Sequence, residues 1–169
     1  MMSLRGMKTA LLSLTVMVGL SACGFQLRDH YQVPQTLQQM HLQAVSSMGL
    51  EESLKQRLLT AGIQLVDHNQ AGVAQLRILS DRLDRRTLSL FESGQVAEYE
   101  LLYRVDYQVI RDGEVVIEDN VEVARDYQDD PNFALAKTRE RELLVAEMRD
   151  DAARRLVRKM ITAFADNEQ

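Results

Sequence analysis

The residues able to do chemistry are few in this sequence of 169 residues. Cysteine occurs once, at Cys23. One thiol makes no internal disulfide and is too few for a cysteine-based zinc site. The three histidines, His30, His41 and His68, are scattered and lack the spacing of a metal-binding pair, so no metal is expected. The acid pairs Glu51-Glu52, Asp129-Asp130 and Asp150-Asp151 are sequence neighbours. Neighbours on a helix do not face each other, so these pairs read as caps and solvated faces rather than acid/base partners. There is no G-x-S-x-G elbow, no glycine-rich phosphate loop and no Cys/His nucleophile pair. No catalytic residue and no cofactor are expected, and the chain does not read as an enzyme.

The surroundings of Cys23 give it a different role. Arg5 and Lys8 precede an uncharged run over residues 9–20, and Leu20-Ser21-Ala22-Cys23 follows at once. A basic start, a short apolar run and a small-residue site make a secretory signal peptide. The run is shorter than the roughly 20 residues of a spanning helix. Leu20-Ser21-Ala22-Cys23 also resembles the lipobox of bacterial lipoproteins. That resemblance implies cleavage before Cys23, an S-diacylglycerol on its thiol and an N-palmitoyl group on the new amine. The alternative is an ordinary signal peptide with Cys23 as a thiol; the shared register of charge, apolar length, small residues and Cys favours the lipobox. Several acyl chains together give stable anchoring, at about 0.8 kcal/mol per buried methylene. In lipoproteins generally an Asp after the Cys favours retention in the inner membrane, and here Gly24 favours the outer membrane.

Charge narrows the partners. The whole chain has 20 Lys+Arg against 25 Asp+Glu, a net charge of −5. Removal of residues 1–22 takes Arg5 and Lys8 and no acid, so 18 bases face 25 acids and the net charge becomes −7. An acidic balance argues against a nucleic-acid binder. Sixteen of the 20 basic residues are Arg, the side chain suited to planar two-pronged contacts with phosphate or carboxylate. Arg77, Arg82, Arg85 and Arg86 lie in or beside one expected strand. Arg125, Lys137, Arg139 and Arg141 lie near the start of the last expected helix. Two readings stand: a phosphate-bearing ligand, or a solvated sheet face paired with Asp81, Asp84 and Glu98. Composition alone favours the second, since exposed charges are the common case.

The elements that would position these residues follow from periodicity. Residues 23–39, with Pro34, read as a tether. Residues 40–45 alternate as a first strand, and residues 50–61 place Leu50, Leu54, Leu58 and Ala61 at helical spacing before Gly62. Residues 63–66 are short and apolar. Residues 74–90 alternate in part. Residues 96–111 alternate cleanly, with Tyr99, Leu101, Tyr103, Val105, Tyr107 and Val109 on one parity. Phe91-Glu92-Ser93-Gly94-Gln95 and Asp112-Gly113 are hairpin turns around that strand, and residues 114–127 form the next. Asp129-Asp130-Pro131 starts a long helix reaching about residue 165, with Leu144, Met148, Ala152, Leu156, Met160 and Phe164 on one face. The prediction is an α+β fold: two helices packed on one face of a roughly four-stranded mixed or antiparallel sheet, in a single domain over residues 40–165. Residues 166–169 are a polar tail.

Four segments in order resemble the LptE family of LPS-assembly lipoproteins, over essentially all of the chain from Cys23. They are Cys23-Gly24-Phe25-Gln26-Leu27-Arg28-Asp29, then Gln32-Val33-Pro34 leading to Met40. Phe91-Glu92-Ser93-Gly94-Gln95-Val96-Ala97-Glu98-Tyr99 is the third, and Asp130-Pro131 with Ala134-Leu135-Ala136-Lys137 the fourth. The resemblance implies a lipid-anchored outer-membrane protein that faces the periplasm and the lumen of the β-barrel LptD. There it acts as plug and assembly factor in lipopolysaccharide transport, and it binds lipopolysaccharide itself.

Residue by residue, Lys137 matches a family lysine implicated in lipopolysaccharide contact. Phe91 matches an aromatic at the hairpin tip, so Phe91, Glu92 and Gly94 are the expected barrel contacts; a plain hairpin-core role for Phe91 is equally open. Glu92 stands where the family can carry Arg, and an acid there repels phosphate. Either the lipopolysaccharide site shifts toward Arg82, Arg85 or Arg86, or the tip serves the barrel. The competing reading, from another class, is a free-standing periplasmic lipid-binding or scaffold lipoprotein tethered to the membrane.

Overall fold

The computed structural model describes residues 33–43, 48–130 and 133–167. The expected signal segment, Cys23, the expected tether up to residue 32, the last two residues of the expected first strand, Pro131 and the last two residues of the chain lie outside the described residues. After a single 3-10 turn at Gln35–Leu37 come β1 (Gln39–Leu42), α1 (Met48–Thr60), β2 (Gln64–Leu65), β3 (Ala74–Leu90), β4 (Val96–Arg111), β5 (Glu114–Gln128) and α2 (Ala134–Asn167). The strands form one mixed sheet in the order β2-β1-β3-β4-β5. β1 runs parallel to both β2 and β3, and the β3–β4–β5 meander is antiparallel. The architecture is the expected α+β one, with five strands rather than four because the two-residue β2 joins the edge.

Local chemistry explains the joints. α1 ends in a Schellman cap: Gly62 has φ 88°, its N–H donates to Leu59 O at 3.0 Å, and Ile63 N–H donates to Leu58 O at 3.0 Å. Between β4 and β5, Asp112 and Gly113 have φ 51° and 86°, the paired positive values of a two-residue hairpin turn.

The core lies between one face of the sheet and the two helices. Leu101, Tyr103, Val105, Tyr107 and Val109 of β4 are buried while the residues between them are not; Ile110, past the irregularity in the β4–β5 pairing, is buried as well. Val121, Val123 and Tyr127 of β5 share that face. Against them α1 sets Leu50, Leu54 and Leu58, and α2 sets Met148, Ala152, Leu156, Met160 and Phe164. Complete burial of one such Leu stabilises by about 1.5–3 kcal/mol. The opposite face of the sheet is polar, with Arg82, Arg86, Glu100, Arg104 and Asp106 side by side.

One irregularity decides which side chains reach which face. In β3, Ile78 pairs with Tyr107 but Ser80 pairs with Asp106, so Leu79 is an extra residue. Such a bulge reverses the in–out parity of all that follows. Before it Ala74, Leu76 and Ile78 point at the helices. After it the odd positions do so: Asp81 opposite Val105, Leu83 opposite Tyr103, Arg85 opposite Leu101.

Candidate functional site

Where β3, β4 and β5 run past the first turns of α2, a pocket of about 470 Å³ opens. Its size falls within the usual range of about 300–1,000 Å³ for small-ligand sites. Its floor is Leu83, Tyr99, Leu101 and Tyr127. Ala134, Lys137, Thr138 and Arg141 form its helical wall, and Arg85 closes it from the sheet. The helical spacing of 134, 137, 138 and 141 puts all four on one side of α2. Asp84 and Asp129 also line it; the Asp84 carboxylate lies 3.7 Å from Arg82 on the outer face of the sheet, so three cations share the pocket with the carboxylate of Asp129.

Each of two cations rests on an aromatic ring. The Arg85 guanidinium carbon lies 5.1 Å from the centre of the Tyr99 ring. The Lys137 Nζ lies 5.5 Å from the centre of the Tyr127 ring. Both distances are within cation–π range. The Tyr127 hydroxyl donates to the Lys137 carbonyl oxygen at 2.9 Å, fixing the first turn of α2 against β5. Lys137 also donates to Glu140 at 2.8 Å. That hydrogen bond is the main reason the ammonium is held above its usual pKa. Burial, with help from Asp129, pushes the Tyr127 hydroxyl up. Arg85 and Arg141 form no ion pair among the described residues.

The structure brings together two of the four basic residues expected from sequence, Arg85 and Lys137, and separates the others. Arg82 and Arg86 project from the opposite, polar face. Arg86 pairs there with Glu100, and Arg82 lies 3.7 Å from Asp84 and 3.9 Å from Asp106. Arg125 leaves the basic cluster near the helix start altogether and binds Asp151 at 3.1 Å. Phe91 and Glu92 are exposed at the tip of the β3–β4 hairpin, where Gly94 takes φ 82°. Phe91 N–H donates to Gln95 O and Gly94 N–H to Phe91 O, both at 2.8 Å. None of these tip residues lines the pocket. The two tyrosines were visible in sequence only as members of alternating strands.

A second cluster holds the helix that carries the wall. Asp151, 7 % exposed, accepts from Arg154 at 2.7 Å, Arg155 at 2.9 Å and Arg125 at 3.1 Å. Burial alone would raise its carboxyl, but the donors from Arg154, Arg155 and Arg125 overcome that and push it down to about 2. Arg155 and Lys159 also donate to the carbonyl oxygens of Glu122 and Asn120, at 3.2 and 3.1 Å. α2 is thus tied to the outer strand along its length.

Among the described residues no three His, Cys, Asp or Glu side chains converge on a metal-sized site. His41 engages the Val66 carbonyl through Nδ1 at 3.1 Å. Among the same residues, no helix is long and apolar enough to cross a membrane.

Known proteins share this chain's sequence and fold. The family model described as "LptE: Lipopolysaccharide-assembly" matches residues 37–160. The LPS-assembly lipoprotein LptE of Pectobacterium atrosepticum is 35 % identical over 162 residues, spanning 95 % of this chain and 88 % of the relative. That of Yersinia enterocolitica is 38 % identical over 157 residues, spanning 92 % and 75 %. The crystal structure of rare lipoprotein B from Shewanella oneidensis superposes with a TM-score of 0.68 at 40 % identity, over 78 % of this chain and 99 % of that one. A solution structure of lipoprotein B from Nitrosomonas europaea gives a TM-score of 0.70 at 26 % identity, over 85 % and 93 %.

Proposed function

This chain belongs to the LptE family of lipopolysaccharide-assembly lipoproteins, and on that premise we propose that it is the lipid-anchored outer-membrane partner of an LptD-type β-barrel. In this reading Cys23 carries the N-palmitoyl and S-diacylglycerol anchor. The domain sits as a plug facing the barrel lumen from the periplasmic side and assists the barrel's assembly. The hairpin tip, with Phe91, Glu92 and Gly94, is a barrel contact. The charged outer face of the sheet suits the polar interior of such barrels.

The same protein binds lipopolysaccharide. The observation that carries this is the convergence of Arg85, Lys137 and Arg141 on one pocket floored by Tyr99 and Tyr127. Phosphate groups of the glycolipid supply the anion that such donors recognise. The pocket favours one answer to the conflict posed by Glu92. The lipid site lies at the start of α2 and draws on Arg85, while Arg82 and Arg86 serve the outer face and the tip serves the barrel.

Two measurements test the reading. Detergent extraction and pull-down of the tagged, lipidated protein should recover an outer-membrane barrel in stoichiometric amount; recovery of the monomer alone would defeat the plug assignment. Lys137→Ala combined with Arg85→Ala should weaken lipopolysaccharide binding by at least tenfold with the fold intact, since a hydrogen bond to a charged group is worth about 1.5–3 kcal/mol. Unchanged affinity would remove the pocket from the function.

A further inference from the structure

Lys137 is not idle in the unliganded protein. Its ammonium is held by Glu140 at 2.8 Å, one helical turn further on. Glu140 is 54 % exposed and does not line the pocket, whereas Lys137 is 21 % exposed and does. The lysine therefore stands at the pocket wall with its charge directed to a carboxylate outside it. The next residue, Arg141, lines the pocket, is exposed, and forms no ion pair among the described residues. Arg85, across the pocket, is likewise without an ion pair there, and rests on Tyr99. An incoming anion thus meets two unpaired guanidinium groups and one lysine already committed.

We propose that Arg141 is a further ligand-binding residue of this pocket, and that Glu140 is its internal counter-ion, a carboxylate that holds Lys137 until a phosphomonoester displaces it. The proposal rests on the lipopolysaccharide reading above and assigns residues within that site. The exchange is cheap, because an exposed pair one turn apart on a helix is only weakly stabilising. It is also selective. A phosphomonoester carries up to two negative charges near neutral pH and three acceptor oxygens. It can satisfy Arg85, Arg141 and Lys137 together, while a single carboxylate offers no more than Glu140 already does. Tyr127 fixes the position from which Lys137 switches, since its hydroxyl holds the Lys137 carbonyl and its ring lies under the ammonium. Asp129 on the lining favours a ligand that brings a hydroxyl or amide donor beside its phosphate, as a phosphorylated amino sugar does.

The test measures binding of the mature lipidated chain in detergent to phosphorylated lipid A and to dephosphorylated lipid A. The variants are Arg141→Gln, Glu140→Gln, Lys137→Ala and the Lys137→Ala/Glu140→Gln double. All three positions are exposed or half-buried on α2, and matching thermal unfolding curves check the fold. Arg141→Gln should weaken binding of the phosphorylated form roughly tenfold, as expected for loss of a charge-assisted contact. Glu140→Gln should tighten it roughly twofold, and that gain should vanish when Lys137 is already Ala. A gain that depends on Lys137 is something a merely structural role for Glu140 does not produce. Equal affinity in wild type, Arg141→Gln and Glu140→Gln, with Lys137→Ala still weakened, overturns this assignment and leaves the lipopolysaccharide reading standing. Wild-type binding indifferent to phosphorylation overturns both.

Discussion

Replacing Asp151 by Asn puts a number on the clamp that holds α2 to the sheet. The carboxylate is 7 % exposed and accepts from Arg154, Arg155 and Arg125 at 2.7, 2.9 and 3.1 Å. Two of those donors sit on its own helix and one comes from β5, so the cluster joins two elements. Its carboxyl lies at about 2 against an ordinary 3.8. At 1.36 kcal/mol per unit that difference is about 2 kcal/mol of native-state stability. Removing the charge also leaves three guanidinium groups close together without their counter-ion. Breaking a fully buried pair costs about 3–5 kcal/mol, but these arginines are 40–54 % exposed, so solvent relieves part of the repulsion. The expected loss for Asp151→Asn is about 2–3 kcal/mol at pH 7, read from urea unfolding.

The pH dependence supplies the stricter check. A carboxyl depressed on folding stabilises the native state fully above its unfolded value, and that contribution fades as pH falls through the folded value. The wild-type protein should therefore lose this increment between about pH 4 and about pH 2. Asp151→Asn should lack that part of the acid limb. If the variant stays within about 0.5 kcal/mol of wild type at pH 7, the size of an ordinary surface change, the clamp contributes nothing and the reasoning fails. An unaltered acid limb in a destabilised variant would place the titration on other carboxylates.

Two further outcomes follow from the same geometry. Cys23→Ala should abolish palmitate labelling of the protein in cells, and persistent labelling would end the lipobox reading. Arg82→Ala with Arg86→Ala should leave lipopolysaccharide affinity within about twofold of wild type, since exposed pairs are worth about 0–1 kcal/mol and both arginines project from the sheet face opposite the pocket; a tenfold loss would move the lipid site to that face.

The elements legible in the sequence are those fixed by neighbours in the chain. Asp112-Gly113 and Gly94 announce their turns because the backbone there needs positive φ. The alternation of β4 survives folding from Leu101 to Val109, since the odd positions there all join the core against the helices. The spacing of four along α2 likewise finds the sheet, with Met148, Ala152, Leu156 and Met160 fully buried. The site was only half legible. Arg82, Arg85 and Arg86 look alike in sequence, and the alternation of Leu76 and Ile78 extended forward would turn Arg82 and Arg86 inward and Arg85 outward. The bulge at Leu79 reverses that. Nothing local marks Leu79 as the inserted residue; the pairing of β3 with β4, settled across the sheet, does so. Tyr127 was hidden for a similar reason, since its role depends on a helix turn ten residues away.

Separating the arginines by face also bears on how an acidic protein would bind an anion, as proposed above. Cations already matched to acids add little at a distance, because opposite charges a few ångströms apart cancel and salt screens the remainder within about 10 Å. Arg86 with Glu100, Arg57 with Asp150 and Lys159 with Asp119 are in that state. Arg125, Arg154 and Arg155 share Asp151. Among the described residues, the pocket cations that remain without an ion pair are Arg85 and Arg141, beside a lysine whose partner Glu140 is exposed. A net charge that is negative overall then helps rather than hinders. On the proposed reading it repels anions from the general surface and leaves the start of α2 as the place where a phosphate is least opposed.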